Sequence, residues 1–187
     1  MKKLMIETKR LILRNFEKTD IADVLEYTSN RKLFEMSGWP YLTKDYEIEV
    51  LLEYEMKKPY QFAIVLKDSN KVIGNIGLMD IDEKMYDGIK YSKNSKELAF
   101  VLSEDYWGKG IMTEAINAVL EFAFKTLDIS EILSGNYKEN SKSAKIQDKI
   151  GLKAIGEIEY FRVLVNKHTK YIQRKITKEE YFKGKLD

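Results

Sequence analysis

Glu97-Leu98-Ala99-Phe100-Val101-Leu102-Ser103-Glu104-Asp105-Tyr106-Trp107-Gly108-Lys109-Gly110-Ile111-Met112-Thr113-Glu114-Ala115 is the stretch on which the fold turns. Leu98 to Leu102 is apolar on both faces, the pattern of a strand covered on both sides. Ser103 to Gly110 breaks that pattern with two glycines. Beyond it, Ile116, Val119, Leu120, Ala123 and Leu127 recur at helical spacing, which predicts a helix to about Leu127. Ile132-Leu133 opens another strand. The order strand, loop, helix, strand makes a crossover unit, and such units are parallel and right-handed in nearly all cases.

Working outward, Ile6 to Phe16 predicts a first strand, with Leu11 and Leu13 on one face and Ile12 on the other. Thr19 or Asp20 can cap a helix running to about Asn30, since a side-chain oxygen there accepts from free first-turn amides. Gly38-Trp39-Pro40 breaks the chain, and Thr43 is placed to cap a second helix ending near Lys58. Residues 60–66 and 72–79 read as an antiparallel hairpin turned by Asp68-Ser69-Asn70. Residues 82–96 are a long polar connection, of the kind that is functional or mobile. Downstream come a short helix at 141–150, a final hairpin from Lys153–Val165 and Lys170–Ile176, and a tail. No repeat or Pro/Gly/Ser linker divides the chain, so residues 1–187 read as a single domain. Its class is α/β or α+β, with a mixed, mostly antiparallel sheet flanked by helices.

Composition closes off several functions. Cys is absent, which excludes disulfides, thiolate metal sites and cysteine nucleophiles. One histidine, His168, excludes multi-histidine metal sites, so no metal is expected. No apolar run approaches the roughly 18 residues that span a membrane. The first residues carry Lys2 and Lys3 but no continuous apolar segment, so a cytoplasmic-type chain is expected. Net charge is +2, yet residues 138–187 hold 13 Lys/Arg against 7 Asp/Glu, leaving 19 against 23 in the rest. A basic C-terminal quarter suits a phosphorylated ligand or nucleic acid, and an acidic remainder suits a cationic substrate. An ordinary solvated lysine-rich surface is the commoner use. Tyr160, Phe161 and Tyr171 interleave the basic segment, but no RNA-binding motif accompanies them, so a nucleic-acid partner ranks last.

The glycine-rich turn lies between a buried strand and an amphipathic helix. A helix start leaves backbone N–H groups unpaired and carries positive partial charge, so it can hold phosphate oxygens. Glycine lets the backbone approach such an anion. The same turn also serves as an ordinary strand-to-helix connection, and a lone Gly-x-Gly does not decide between the two. No G-x-x-x-x-G-K-[S/T] loop occurs, and the third glycine of the dinucleotide fingerprint would fall at Thr113.

Three segments in order carry a family resemblance. Ile6-Glu7-Thr8-Lys9-Arg10-Leu11-Ile12-Leu13-Arg14 resembles the opening strand of the RimJ/RimL-like branch of the GCN5-related N-acetyltransferases (GNAT). Glu97 to Ala115 resembles that family's acetyl-CoA motif, and Asn140-Ser141-Lys142-Ser143 with Lys149-Ile150-Gly151-Leu152 its later motif. The resemblance spans roughly residues 6–177. It implies a GNAT fold in which a splayed parallel strand pair forms the acetyl-CoA cleft. It assigns the backbone of Phe100, Val101 and Leu102 to the pantetheine arm. The N–H groups of Trp107, Gly108, Lys109, Gly110, Ile111, Met112 and Thr113 are assigned to the pyrophosphate, and Asn140 and Ser143 to the cofactor. The wider signature Arg/Gln-x-x-Gly-x-Gly/Ala reads Trp107-x-x-Gly110-x-Met112 here. That substitution bears on any side-chain contact at 107 and not on the backbone.

The implied activity is that of an N-acetyltransferase using acetyl-CoA as co-substrate. It transfers acetyl to a primary amine, either a protein N-terminus or a small molecule, by direct attack in a ternary complex. An alkylamine has a pKa of about 10.4 and attacks only when neutral, so a carboxylate that takes its proton helps by about 10²–10⁴-fold. Glu97 is the candidate base, set against a plain exposed strand-start glutamate, and Glu35 is a second candidate. Many family members place a tyrosine seven residues after the motif asparagine to protonate the thiolate, but Gln147 stands there. A thiol of pKa about 8.5 leaves reasonably well without that help. Ser143 is then a candidate acid or water-orienting group, with cofactor binding alone as its other role. A backbone donor within 99–102 would hold the oxyanion. His168 sits in a polar turn and reads as solvated; Trp39, Tyr41, Tyr46 and Tyr54 border an acceptor pocket or serve as core and rim. The competing function is a non-catalytic acyl-CoA-binding module of the same fold, which Gln147 favours. A homodimer is the default among homo-oligomers.

Overall fold

The computed structural model describes residues 4–185. Where one strand is expected over Ile6–Phe16, the chain makes two, β1 (Met5–Glu7) and β2 (Leu11–Arg14), paired antiparallel with Ile6 opposite Leu13. Thr8 closes the reversal without a glycine. Its N–H donates to the Leu11 carbonyl and Leu11 N–H donates back to Thr8 Oγ1, both at 3.0 Å. Apolar residues alternate with the same period on both sides of this turn, which is why the pattern alone conceals it.

The expected helix to about Asn30 forms as α1 (Ile21–Thr28), and a further helix that the sequence did not predict, α2 (Arg31–Ser37), follows it. Asn30 caps the second, its Oδ1 accepting Leu33 N–H at 3.1 Å, and α2 stops at Gly38 with φ +75°. Asp20 occupies the N-cap position of α1 without capping it. Its carboxylate takes two guanidinium N–H bonds from Arg14 and the Glu17 N–H, each at 2.8 Å. Thr43 does not cap α3 (Asp45–Glu55) either; Glu47 accepts the N–H groups of Thr43 and Lys44 at 2.9 and 3.0 Å.

The central hairpin forms as expected from β3 (Gln61–Leu66) and β4 (Val72–Met79), with Asn70 at φ +53° in its turn. Next come β5 (Ser95–Leu102), α4 (Ile111–Lys125) and β6 (Glu131–Tyr137), the crossover unit read from the sequence. After α5 (Ser141–Lys149), β7 (Lys153–Arg162) and β8 (Lys167–Thr177) make the final hairpin. The tail carries a further helix, α6 (Lys178–Lys183). Thr177 and Glu180 exchange side-chain and backbone bonds at its start, which satisfies amides no earlier turn can reach.

The strands form one eight-stranded sheet in the order β1-β2-β3-β4-β5-β6-β8-β7, mostly antiparallel, with β5 and β6 as the parallel pair. Two compact units share the chain. The first takes the described residues up to Leu78 together with Ala99–Val119, and the second takes Met79–Leu98 with the described residues from Leu120 onward. Phe16, Val24, Tyr27, Ile48, Leu52, Val65 and Val101 are among the core of the first. In the second, Ile132, Leu133 and Ile176 are buried, and Phe124 packs on Tyr181 with ring centroids 5.2 Å apart. Among the described residues no helix is long and apolar enough to cross a membrane.

Candidate functional site

In the first unit, β5 runs into a loop that enters α4 through two glycines in the left-handed region, Gly108 at φ +73° and Gly110 at φ +72°. A Cβ at Gly108 would meet nothing within 4 Å, so the demand there is conformational rather than steric. Trp107 N–H is taken by the Glu104 carbonyl at 3.1 Å. From Gly108 to Thr113 no backbone N–H donates to an acceptor among the described residues; the first helical bond is Glu114 N–H to the Gly110 carbonyl at 3.1 Å. Six successive donors at the positive end of a 15-residue helix are therefore left for a ligand or water. The expectation for Trp107 is corrected in this respect, because its amide is spent within the fold. Its indole is tied back as well, Nε1 donating to the Leu102 carbonyl at 2.9 Å.

The loop is braced by residues that sequence reasoning did not select. Arg10, in the β1–β2 turn, donates to the Lys109 carbonyl at 2.9 Å and pairs with Glu114 at 2.7 Å. Thr8 Oγ1 and Arg10 N–H also reach Glu114, at 2.6 and 2.9 Å. Burial works to raise the Glu114 carboxyl, but the bonds from Thr8 and Arg10 outweigh it and hold the group below its ordinary range. No local signal links residues 104 positions apart, so the pairing is invisible in the sequence.

Phe100, Val101 and Leu102 end β5. The parallel ladder with β6 runs Ser95↔Glu131, Lys96↔Ile132 and Glu97↔Leu133 and stops before these residues. In the second unit, Ser134 Oγ donates to the Leu98 carbonyl at 2.8 Å where the ladder ends.

Glu97 is no exposed strand-start residue; it is the third residue of β5 and only 9% exposed. Tyr86 Oη donates to its Oε1 at 3.2 Å and Asp82 N–H to its Oε2 at 3.4 Å. Loss of water raises its carboxyl above the ordinary range, more than these bonds lower it. Such a group is a stronger base than a surface carboxylate.

Asn140 caps α5, its Oδ1 accepting Ser143 N–H at 3.1 Å. Ser143 Oγ accepts from Gln147 Nε2 at 3.0 Å. Gln147 is fully buried, and its Nε2 also faces the Gly135 carbonyl at 3.2 Å and Asn136 Oδ1 at 3.4 Å, whereas its Oε1 is buried without a partner. Asn140, Ser143 and Gln147 are thus brought together. Glu35 stands elsewhere, in the first unit, half-exposed and paired with Arg31 at 3.0 Å. Tyr41, Tyr46 and Tyr54 are exposed rather than core, and His168 is exposed with its ring against Phe161.

Comparison with known proteins adds four findings. A family described as an acetyltransferase (GNAT) domain matches residues 10–153. An uncharacterized N-acetyltransferase of Bacillus subtilis, YnaD, is 27% identical over 151 residues, covering 81% of this chain and 84% of that protein. A spermidine N(1)-acetyltransferase of Vibrio cholerae is 27% identical over 157 residues, covering 81% and 85%. A solved GNAT-family acetyltransferase from Bacillus anthracis has the same fold, with a TM-score of 0.80 at 24% identity, covering 95% of this chain and 100% of that one.

Proposed function

From the premise that the chain belongs to the GNAT acetyltransferase family, we propose that it transfers the acetyl group of acetyl-CoA to a primary amine by direct attack in a ternary complex. The observation that carries this reading is the run of unpaired N–H groups from Gly108 to Thr113 at the start of α4. Such a run fits a pyrophosphate, and a bare left-handed Gly108 leaves room for it. These six amides would hold the pyrophosphate, and the β5 backbone at Phe100, Val101 and Leu102, past the end of the parallel ladder, would hold the pantetheine arm. Bound acetyl-CoA supplies an activated thioester carbonyl. Glu97 takes the proton of the acceptor's ammonium so that the nitrogen lone pair is free to attack, and later returns that proton to solvent. Asn140 acts by fixing the start of α5. Ser143 Oγ accepts from Gln147, so its own proton can be directed to water or the leaving sulfur.

Within the family we place the chain in the RimJ/RimL-like branch, on the segments 6–14, 97–115 and 140–152. The acceptor is a peptide N-terminus or a small-molecule amine, the spermidine-acetylating relative favouring the latter. The family match passes through both units, which supports reading them as one domain.

A second reading, a non-catalytic acyl-CoA-binding module, draws on Gln147, whose amide occupies the position of a proton donor and is committed to the fold. Calorimetric titration with acetyl-CoA and thiol release over a panel of amines separate the two. Acceptor-dependent thiol release supports the enzyme, and binding with no release from any amine supports the module. Gly110→Glu sets a carboxylate beside the bound phosphates at a left-handed residue and is expected to weaken acetyl-CoA binding at least about tenfold, or ~1.4 kcal/mol. Gly110→Ala, which carries the backbone strain alone, is expected to lose less. Unchanged affinity in Gly110→Glu would remove the loop from the cofactor site.

A further inference from the structure

Glu97 is surrounded within the second unit by two phenols that the mechanism above does not use. Tyr86, from the connection between β4 and β5, is 1% exposed and donates to Glu97 Oε1 at 3.2 Å. Tyr171, from β8, is 9% exposed, and its hydroxyl lies near enough to Glu97 and Tyr86 to act on both electrostatically. The two rings meet edge to face, with centroids 6.5 Å apart. Tyr171 reaches this place across β6 at Gly135, where a Cβ would lie 2.4 Å from its ring. The β4–β5 connection and β8, the latter given room by a glycine of β6, therefore meet around a single carboxylate.

A carboxylate stripped of water is costly unless hydrogen bonds replace its hydration. Burial pushes both tyrosine hydroxyls well above their ordinary range, so both stay protonated and remain donors wherever the protein is folded. They do not compete with Glu97 for the substrate's proton. The other group facing the carboxylate is Asp82, whose amide donates to it and whose own charge opposes it; Tyr137 of β6 lies behind Tyr171, with ring centroids 5.9 Å apart.

We propose that Tyr86 and Tyr171 are positioning residues for proton transfer, their hydroxyls holding the buried Glu97 carboxylate ionised and oriented. This rests on the reading of Glu97 as the base. Tyr86→Phe and Tyr171→Phe keep each ring and delete only the hydroxyl. Two readouts are taken on the full chain: the acidic limb of kcat/KM against pH, and the Glu97 side-chain carbon titrated by NMR with carbon-13-labelled glutamate. Loss of the Tyr86 hydroxyl is expected to move both midpoints upward by about one pH unit, because a bond to the charged form is removed, and loss of the nearby Tyr171 hydroxyl to move them the same way by less. If the fully buried Tyr86→Phe does not fold, Tyr171→Phe carries the test. A Glu97 midpoint unmoved in the folded variants, with activity lowered equally at all pH values, means the tyrosines only pack and overturns the proposal. Turnover by Glu97→Gln at the wild-type rate instead overturns the base assignment, an outcome the NMR midpoint does not depend on.

Discussion

Glu97 shows how one residue's environment sets its chemistry. In a strand-start position on the surface it would titrate as any glutamate; buried among Asp82, Tyr86 and Tyr171 its carboxyl is raised. A carboxyl whose folded-state value is raised binds its proton more readily in the native state than unfolded. Its stabilising contribution is therefore present at low pH and is lost as pH rises through the folded value. Glu97→Gln removes that loss. The variant is expected to slow turnover about 10²–10⁴-fold while leaving acetyl-CoA affinity unchanged. Its Tm at pH 7 is expected to be no lower than that of the parent, and higher if the Tyr86 hydroxyl still bonds the amide, with any gain vanishing near pH 4. A Tm that falls at pH 7 and stays low at pH 4 would mean that the carboxylate supports the fold. Glu97 itself was legible as a candidate from the motif. Its partners were not, because Tyr86 and Tyr171 are brought to it only by a long connection and by β8.

At the scale of the element, α4 and α5 are alike in having starts defined by what their first amides do. Those of α4 have no acceptor among the described residues, whereas α5 is closed by Asn140 and reinforced from within by Gln147. Gln147 replaces a tyrosine found in many family members, and the structure gives the replacement a job. Its amide ties α5 to the β6 backbone at Gly135 and to Asn136, which in turn accepts from Arg174 Nε at 3.0 Å. Gln147→Tyr is thus expected to overpack a fully buried site, costing about 1–3 kcal/mol of stability with no gain in thiol release. Thermal melts and the amine assay check both halves, and a stable, faster variant would show that the position is catalytic after all. Element boundaries followed the same logic. Long periodic segments such as α4 were legible, whereas the β1–β2 reversal was hidden by side-chain bonds of Thr8 rather than marked by glycine, and the short α2, capped by Asn30, was missed altogether.

For the whole molecule, the chain passes between the two compact units inside β4, β5 and α4, not through linkers. Elements that continue from one unit into the other cannot melt in halves without leaving their backbone groups unpaired. A single cooperative unfolding transition is therefore expected by calorimetry, with equal calorimetric and van't Hoff enthalpies. Two resolved transitions would show that the chain is not one domain.

Periodicity and turn chemistry by themselves determined the crossover unit, the central and final hairpins and the mixed sheet class, because each is written in contiguous residues whose spacing meets one face of one element. The ordered motifs around Gly108 and Gly110 likewise named the family before any coordinates. Only the tertiary structure decided which amides of that turn are free, that Arg10 and Thr8 brace it through Glu114, and that Glu97 is buried beneath two tyrosines. These depend on residues dozens of positions apart meeting in space. Hydrogen bonding and desolvation act on that meeting, and local sequence carries no record of it.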